Sequence, residues 1–418
     1  MNLKESLETI KDSRIDRCKK HSLVDILMIV FFGLLCGYKS IESIHLYAEL
    51  SINVLKKYLV LANGIPSADT ILRVLAKIDT EQLGKVFIEY ARSVFGNRIK
   101  DGDVVAFDGK TECGSKYSPV AENGTEHKAV HMVSAWASRL GVCFGQIKTE
   151  EKSNEITAIP ELLDLLDLKG VIVTIDAMGC QKKIAGKITE KKSDYVFSLK
   201  GNQEKIHDDV KEFFTGHQLD EKYCERYKIQ KYESELEIAH GRIEKRTGFL
   251  CTNIKWLEGK DEWSNLKAVG MVECHRIEKK SEKESLETRF FITSLTDAGK
   301  ACEAMRSHWG IENGLHWELD VVFGEDISQL RKDNSAANMN MLRKLVINIL
   351  KQTDFSEFTK AKNLSISGKQ MLCDKHEGCL EKVVKNDTKS IVLYMKSVGC
   401  SIKSINTFKF SLDPKLKK

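Results

Sequence analysis

Two aspartates stand at the ends of apolar, strand-like segments of this chain. Asp176 follows residues 171–175, and Asp108 follows residues 104–107. A charged group at the edge of a buried strand loses hydration unless a partner stabilises it. Two such positions predict a carboxylate site, which would serve metal binding or acid–base chemistry.

Residues 306–320 supply candidates for a third acid. Four polar side chains recur there at four-residue intervals, a spacing that places them on one face of a helix. They are His308, Glu312, His316 and Asp320. Three neighbouring carboxylates can hold a pair of Mg²⁺ ions, which clamp the attacking and leaving oxygens in phosphoryl transfer. The histidines also allow a zinc site, but acids at strand ends favour a hard cation over zinc.

The order of the predicted elements would bring the two aspartates together. Strands are predicted at 103–108, 129–136 and 141–148, followed by a helix at 155–168, a strand at 171–176, a helix at 180–190, a strand at 195–199 and a helix at 203–214. This is the order of a ribonuclease H-like core, in which the first strand pairs beside the fourth. Asp108 and Asp176 would then lie on adjacent strands.

The rest of the chain has a different pattern. Residues 220–295 read as a β-rich insertion, and helices are predicted at 298–321 and 334–351. We therefore predict an α/β fold with a ribonuclease H-like catalytic domain at 101–352. A helical N-terminal domain at 1–100, for DNA binding or assembly, precedes it. A lysine-rich C-terminal tail at 353–418 follows, with no chemistry assigned.

Composition excludes several classes of protein. The 65 basic and 60 acidic residues are well mixed, so the net charge of +5 says little about partners. The 12 cysteines are scattered and predict a reducing cytoplasm. The most apolar stretch, residues 26–36, is too short for a bilayer, which needs about 20 residues, so no membrane role is expected. Cys373, His376 and Cys379 lack a fourth ligand with zinc-finger spacing, so a structural zinc site is not expected there.

Six segments together carry a specific pattern. They are Gly-Ile-Pro-Ser-Ala-Asp-Thr at 64–70, Ala-Phe-Asp-Gly-Lys-Thr at 106–111, Thr-Ile-Asp-Ala-Met-Gly-Cys-Gln-Lys at 174–182, Asp-Tyr-Val-Phe-Ser-Leu-Lys-Gly-Asn-Gln at 194–203, His-Gly-Arg-Ile-Glu-Lys-Arg at 240–246 and His-Trp-Gly-Ile-Glu-Asn-Gly-Leu-His-Trp-Glu-Leu-Asp-Val at 308–321. In these segments the chain resembles bacterial DDE transposases of the ISAs1 group, including the H-repeat-associated proteins, which belong with the IS4-like transposases. The likeness covers residues 10–350.

The resemblance implies cut-and-join DNA chemistry at the ends of an insertion sequence. It implies two Mg²⁺ ions, which Mn²⁺ can replace, bound by Asp108, Asp176 and Glu312. The expected partners are double-stranded DNA, at the element ends and the target, and a second copy of the chain in the DNA complex. The expected location is the bacterial cytoplasm, at the nucleoid when DNA is bound.

Several polar residues are predicted to contact DNA. They are Lys110, Lys200, Asn202, Gln203, His240, Arg242, Arg246 and His308. For residues 200–203 an ordinary turn at a strand end stays open as the alternative. Arg242 and Arg246 would share one face of a strand by the two-residue period, and a solvated strand is the alternative there. Arg331, Lys332 and Arg343 are expected to be ordinary surface cations.

Two departures from the family pattern leave alternatives open. Cys113, beside Glu112, stands where the group commonly has arginine. Met305, His308 and Leu319 replace the tyrosine, arginine and lysine of the wider IS4-like signature, so Glu318 and Asp320 stay open as the third acid. Two other functions also stay open: a catalytically inactive DNA-binding descendant, and a ribonuclease H-like nuclease that cleaves without joining.

Overall fold

The computed structural model describes residues 3–116, 128–149, 155–239, 241–279, 281–359 and 364–387. The chain forms two compact units, one of residues 1–67 with 349–418 and one of residues 68–348. This division differs from the predicted boundary near residue 100, because the helices between residues 68 and 95 belong to the larger unit. No helix of the described ranges has the length and apolarity needed to cross a lipid bilayer.

The helices of the described chain alternate with strands only in its middle third. They are α1 (Leu3–Glu8), α2 (Leu23–Leu35), α3 (Ile41–Leu50), α4 (Ile52–Leu55), α5 (Ala68–Lys77), α6 (Thr80–Phe95), α7 (Glu155–Leu165), α8 (Lys182–Glu190), α9 (Glu204–Thr215), α10 (Glu221–Tyr227), α11 (Ala298–Ile311), α12 (Ser335–Gln352), α13 (Ile366–Lys375) and α14 (Glu377–Asp387). The last two lie in the region that the sequence left without assigned structure. The most apolar stretch of the sequence forms α2 and is buried almost throughout.

Within the described ranges, ten strands form a single sheet. They are β1 (Val104–Glu112), β2 (Val130–Ala137), β3 (Val142–Lys148), β4 (Ile172–Ile175), β5 (Asp194–Leu199), β6 (Ile229–Glu233), β7 (Glu237–Ala239), β8 (Arg242–Cys251), β9 (Ala268–Glu278) and β10 (Glu284–Thr293). Their order is β3-β2-β1-β4-β5-β10-β9-β8-β6, with β7 paired to β8. The predicted order of strands and helices through α9 is confirmed, as is the predicted β2–β3 hairpin.

The pairing that matters for the site joins β1 to β4. The two strands are parallel, with Phe107 opposite Ile175. This is the pairing that the sequence predicted. Every residue of β4 is buried, which explains why its sequence is apolar except at Thr174 instead of alternating.

The predicted β-rich insertion is confirmed by β6–β10, but these strands continue the sheet of the first half. The connection is an antiparallel pairing of β10 with β5, in which Phe290 lies opposite Leu199. Helix α11 returns across this sheet and packs on β1, β4 and β5. Small residues of α11, including Ala301, Ala304 and Cys302, pack among sheet residues such as Val196 and Phe291.

Helix α12 carries two buried cations. The sequence predicted one of them, Arg343, to lie at the surface and assigned nothing to the other, Lys344. Arg343 and Lys344 are both fully buried. Arg343 Nη1 lies 3.3 Å from Glu112 Oε1 and 3.2 Å from Glu325 Oε1. The expectation that Arg343 is an ordinary surface cation is therefore wrong, because acids distant in sequence supply its partners. A buried charge is retained only where such partners exist.

Candidate active site

Asp108 and Asp176 each lie one residue beyond the paired Phe107 and Ile175, Asp108 within β1 and Asp176 directly after the end of β4. Asp108 Oδ1 accepts a hydrogen bond from the amide of Gly109 at 2.9 Å. Asp176 Oδ1 accepts from the amides of Met178 at 3.0 Å and Gly179 at 3.2 Å, in the loop that leads to α8. The backbone therefore orients both carboxylates.

Glu312 faces the same cleft. The cleft has a volume of about 590 Å³, and its lining includes Asp108, Asp176 and Glu312. Glu312 is exposed and directly follows the last residue of α11. The structure thus brings the three predicted acids to one cavity.

The helical segment that carries Glu312 is not a continuous α-helix. After Ile311 it forms two π-helical turns, Glu312–His316 and Glu318–Val322. The prediction of a helix over 298–321 holds as far as Ile311 and is wrong in type beyond it. π turns insert an extra residue and recur at functional sites.

The π turns keep the predicted polar stripe on one side of the helical segment that carries Glu312. A four-residue step overshoots one α-helical turn of 3.6 residues, and the wider π turns offset this drift. His308 Nδ1 lies 3.1 Å from Thr174 Oγ1, and His316 Nδ1 lies 3.6 Å from Asp108 Oδ2. Further along, Asp320 reaches β1. The stripe therefore faces the ends of β1 and β4.

Gly314 permits this close approach of the π segment to the sheet. A Cβ atom at Gly314 would lie 2.8 Å from the ring of Trp136 on β2, closer than carbon atoms normally pack. The backbone of the π turn can therefore lie directly against the tryptophan. Any larger side chain there would push Glu312 and His316 away from the strands.

The acidic site holds more negative than positive charge. Burial, together with the negative charges of Glu155, Asp176 and Glu312, raises the pKa of Asp108 to about 8. The pKa of Asp176 is also raised, mainly by burial and then by Glu155, against the opposing effect of the Gly179 amide. Like charges held together in a poorly hydrated cleft favour protonation or a bound cation.

The two histidines of the stripe are neutral. Burial lowers the pKa of His308 to about 4. Burial and the ammonium groups of Lys344 and Lys110 lower the pKa of His316 to about 3. The contact of His316 with Asp108 is therefore not an ion pair. His308, predicted to contact DNA, lines the cleft through a buried ring that is already bonded to Thr174.

Sequence reasoning missed Glu155, a buried acid beside the two aspartates. It is the first residue of α7, and its carboxylate Oε1 lies 3.0 Å from His131 Nε2. His131 Nδ1 in turn lies 2.8 Å from Thr111 Oγ1. The available signal was weak, because an acid in the first turn of a helix is common for dipole reasons alone.

Lys110 is corrected from a DNA contact to an internal ion pair. Its ammonium nitrogen lies 2.7 Å from Asp320 Oδ1 and 3.2 Å from Asp326 Oδ1, and its side chain is only 9% exposed. A lysine held by two carboxylates has no free charge for phosphate. The same pair occupies Asp320, one of the alternatives to Glu312 as third acid.

Asn202 and Gln203 hold the loop that carries Asp176. The side-chain amide of Asn202 donates to the carbonyl oxygen of Ala177. Gln203 Nε2 donates to the carbonyl oxygen of Cys180 at 2.9 Å. Both side chains therefore serve the protein backbone, whereas Lys200 is exposed and lines the cleft.

The predicted cations of the insertion separate into two kinds. Arg246 is buried and pairs with Glu237 at 2.8 Å and with Glu244. It is therefore corrected from a DNA contact to a structural pair. Arg242 is exposed on β8. His240 lies outside the described residues.

Basic side chains, which we call the basic wall, line the same cleft as the acids. Besides Lys200, which the sequence predicted, they are Lys211 and His207 on α9 and Arg289 on β10, which sequence reasoning missed. Arg289 stacks 3.9 Å from the centre of the Trp309 ring and bonds to Glu287. No sequence signal separated these cations from the many others, because strands and helices distant in sequence bring them together.

The turn that contains Cys113 receives a cation from elsewhere. Cys113 is exposed, and its amide donates to Asp326 Oδ1 at 3.2 Å. Arg331 Nε donates to the carbonyl oxygen of the next residue, Gly114, at 3.2 Å. A guanidinium group therefore lies beside the position where the arginine of the family pattern is missing.

The residues fit a hard divalent cation by donor chemistry and by charge. Carboxylate oxygens from β1, from the residue after β4 and from the π segment line the cleft, and the raised pKa of Asp108 reflects burial together with uncompensated negative charge. Within the described residues, no group of three or more His, Cys, Asp or Glu side chains is already arranged around one metal position. The carboxylates therefore fit a divalent cation by donor type and charge, and not by a preformed coordination geometry.

The fold and cleft define an α/β protein with an acidic site, and comparison with known proteins gives its family. Residues 99–349 match the family described as "Transposase DDE domain", and residues 4–91 match the family described as "DDE_Tnp_1-associated". The chain belongs to the DDE transposases. Its relatives identify it as an IS4-like member of that family. DDE transposases generally use divalent metal ions.

The relatives cover most of the chain. YncI of Escherichia coli O157:H7, provisionally named a transposase, is 40% identical over 84% of this chain and 87% of its own length. YhhI of Escherichia coli strain K12, provisionally named an H repeat-associated transposase, is 38% identical over 83% of this chain and 90% of its own length. A solved piggyBac transposase synaptic complex with hairpin DNA has a TM-score of 0.38 and 11% identity, covering 96% of this chain and 79% of that one.

Proposed function

We propose that this protein is an insertion-sequence transposase that cleaves DNA at the element ends and joins the freed 3′ ends to target DNA. The observation that carries the proposal is the convergence of Asp108, Asp176 and Glu312 on one cleft in a chain of the DDE family. The order β3-β2-β1-β4-β5, with β1, β4 and β5 parallel, supports a ribonuclease H-like core. The matching segments support membership of the ISAs1 group.

Each acid has a distinct role in this proposal. Asp108 and Asp176, oriented by backbone amides, would hold the divalent ions between them. Glu312, exposed at the start of the π segment, would hold the second ion and position the attacking hydroxyl. Bound Mg²⁺, or Mn²⁺ in its place, supplies activation of the attacking oxygen and charge stabilisation at the phosphate.

The basic wall suits the DNA backbone. Lys200 and Lys211 are exposed, and with Arg289 they line the same cleft as the acids. Cations in the cleft that holds the carboxylates would bind phosphates near the scissile bond and fix the register of the strand. We propose double-stranded DNA as the partner, a homodimer in the DNA complex and a cytoplasmic, nucleoid-associated location.

The test is cleavage of DNA that carries the element ends. Asp108→Asn should abolish cleavage in Mg²⁺ and leave gel-shift binding nearly intact, because the substitution removes charge with little change in shape. Asp261→Asn, on an exposed residue paired with Lys260 in the insertion, is the matched control and should cleave like the wild type. Full cleavage by Asp108→Asn would contradict the assignment.

Two alternatives are separated by further measurements on the same DNA. A nuclease would cut labelled ends but would not join them to a second duplex. An inactive descendant would bind and not cut, and restoring the missing cation with Cys113→Arg would then be needed for activity. The guanidinium of Arg331 beside the Cys113 turn favours an active protein.

A further inference from the structure

We propose that Glu155, held in place by His131, is a positioning residue of the acidic site, whose fixed negative charge strengthens divalent-cation binding by Asp108 and Asp176. The inference rests on the proposed function, since it assigns a role to a residue next to the proposed metal ligands. It gives the site a fourth carboxylate, supplied by α7 instead of a strand end or the π segment.

Glu155 is buried and is held by a specific hydrogen bond. The residue is only 7% exposed, and an ionised carboxylate at that depth is costly without a partner. Its partner is His131, with 3.0 Å between Glu155 Oε1 and His131 Nε2. The other ring nitrogen of His131 is bonded to Thr111, the residue directly opposite it on β1. Both nitrogens of the imidazole are thus engaged, so the ring cannot rotate away from Glu155.

The pair occupies space that only a glycine on β1 leaves open. A Cβ atom at Gly109 would lie 2.1 Å from Glu155 Oε1 and 2.4 Å from His131 Nε2. The carboxylate therefore lies directly over the backbone next to Asp108. Gly109 does not have the positive φ that favours glycine, so the close approach is the reason for glycine here.

The carboxylate of Glu155 lies beside Asp108, because it packs over Gly109, the next residue on β1. A cation held by the two aspartates would be attracted by this neighbouring negative charge. Burial weakens solvent screening, so the attraction persists at physiological salt.

A structural role alone would need only the hydrogen bond to His131. Glutamine has nearly the shape of glutamate and can bond to the imidazole through its amide, but it lacks the charge. Glu155→Gln therefore separates the charge of Glu155 from its shape. If the charge matters, metal binding weakens while the fold is retained.

The experiment is direct titration of the metal-free full chain with Mn²⁺, following free Mn²⁺ by electron paramagnetic resonance, with no DNA present. Glu155→Gln is expected to weaken Mn²⁺ binding about tenfold or more, the usual effect of altering a group that supports metal ligands. Asp108→Asn is titrated in parallel and is expected to lose the site. Thermal unfolding checks that each variant is folded.

The outcomes separate this inference from the proposed function. If the wild type binds no Mn²⁺, or Asp108→Asn binds like the wild type, the proposed metal site fails. If Asp108→Asn loses binding and Glu155→Gln retains wild-type affinity, the role of Glu155 alone is overturned. Should Glu155→Gln not fold, His131→Gln decides, because it releases the carboxylate without removing it. Severalfold weaker binding is then expected, and unchanged binding overturns the inference.

Discussion

The ammonium nitrogen of Lys110 lies 2.7 Å from Oδ1 of Asp320, and this contact links the strand of Asp108 to the π segment that follows Glu312. The contact also distinguishes two candidate acids. Asp320 is committed to an internal cation, whereas Glu312 is exposed in the cleft with the two strand-end aspartates. Glu312 is therefore our choice for the third acid.

Substitution of the two acids should give different results. Glu312→Gln is expected to reduce cleavage at least a thousandfold at unchanged thermal stability, because an exposed side chain is lost from the reacting centre. Asp320→Asn should instead lower stability by about 1–3 kcal/mol, since it removes a partner of a mostly buried lysine. Single-turnover cleavage and urea unfolding measure the two effects. A thousandfold loss of cleavage in a stable Asp320→Asn protein would reverse the assignment.

The side-chain amides that hold the loop after Asp176 are predicted to affect the rate of cleavage but not the affinity for DNA. Asn202→Ala and Gln203→Ala each remove a side-chain bond to this loop, to Ala177 and Cys180 respectively. Each is expected to slow cleavage about fivefold, because loss of one hydrogen bond of about 1 kcal/mol loosens the carboxylate. DNA affinity in a gel shift should not change. Reduced affinity at an unchanged cleavage rate would indicate phosphate contacts instead.

Two lysines of α9 form a matched pair for DNA binding. Lys211 lines the cleft, whereas Lys205 is exposed outside the cleft lining and pairs with Glu258 at 2.9 Å. Lys211→Ala should weaken DNA binding and lower the slope of log affinity against log salt by about 1, because one counterion fewer is released. Lys205→Ala should leave the slope unchanged. Equal slopes for the two variants would remove Lys211 from the DNA path.

The raised pKa of Asp108 predicts a pH dependence of stability. Its native pKa of about 8 lies above the ordinary value of about 4, so the native state keeps a proton that the unfolded chain releases between these values. The contribution of Asp108 to the stability of the metal-free protein should therefore be lost as the pH rises from about 4 to 8. This contribution is measured as the difference in urea midpoint between the wild type and Asp108→Asn across this range, and the wild type should lose its advantage as the pH rises. A difference that stays constant across this range would contradict the raised pKa.

Metal binding should follow the opposite trend. A cation displaces the proton from the carboxylate, so its affinity should increase over the same pH range. Added Mg²⁺ should therefore stabilise the wild type more at pH 8 than at pH 5. Asp108→Asn serves as the control and should show little of this gain.

Local sequence patterns were sufficient to single out the two aspartates, although β1 continues to Glu112, beyond the strand end predicted at Asp108. Asp108 and Asp176 each follow a short apolar run, and the order of elements implied that their strands are neighbours. Glu312 came from its place in a family motif. Each of these inferences uses residues close in sequence or a known order of elements, so no long-range contact had to be deduced.

The surroundings of the acids depend on contacts that local patterns do not contain. Lys110 and Arg343 looked like surface cations because their partners, Asp320 and Glu112, are more than 200 residues away. Glu155 looked like an ordinary first-turn acid until the fold brought it over Gly109. The π turns were missed because a helical sequence period does not distinguish a wider turn from an α turn.

The continuous sheet has a consequence for the engineering and evolution of this chain. Because β10 pairs with β5, the insertion covers the edge strand that leads to Lys200 and to the residues holding the Asp176 loop. Removing residues 220–295 would not yield a minimal catalytic domain. It would leave an unpaired apolar edge open to intermolecular strand addition. The insertion therefore has to be inherited as a whole with the core, and shortened natural copies that lack it should be aggregation-prone remnants.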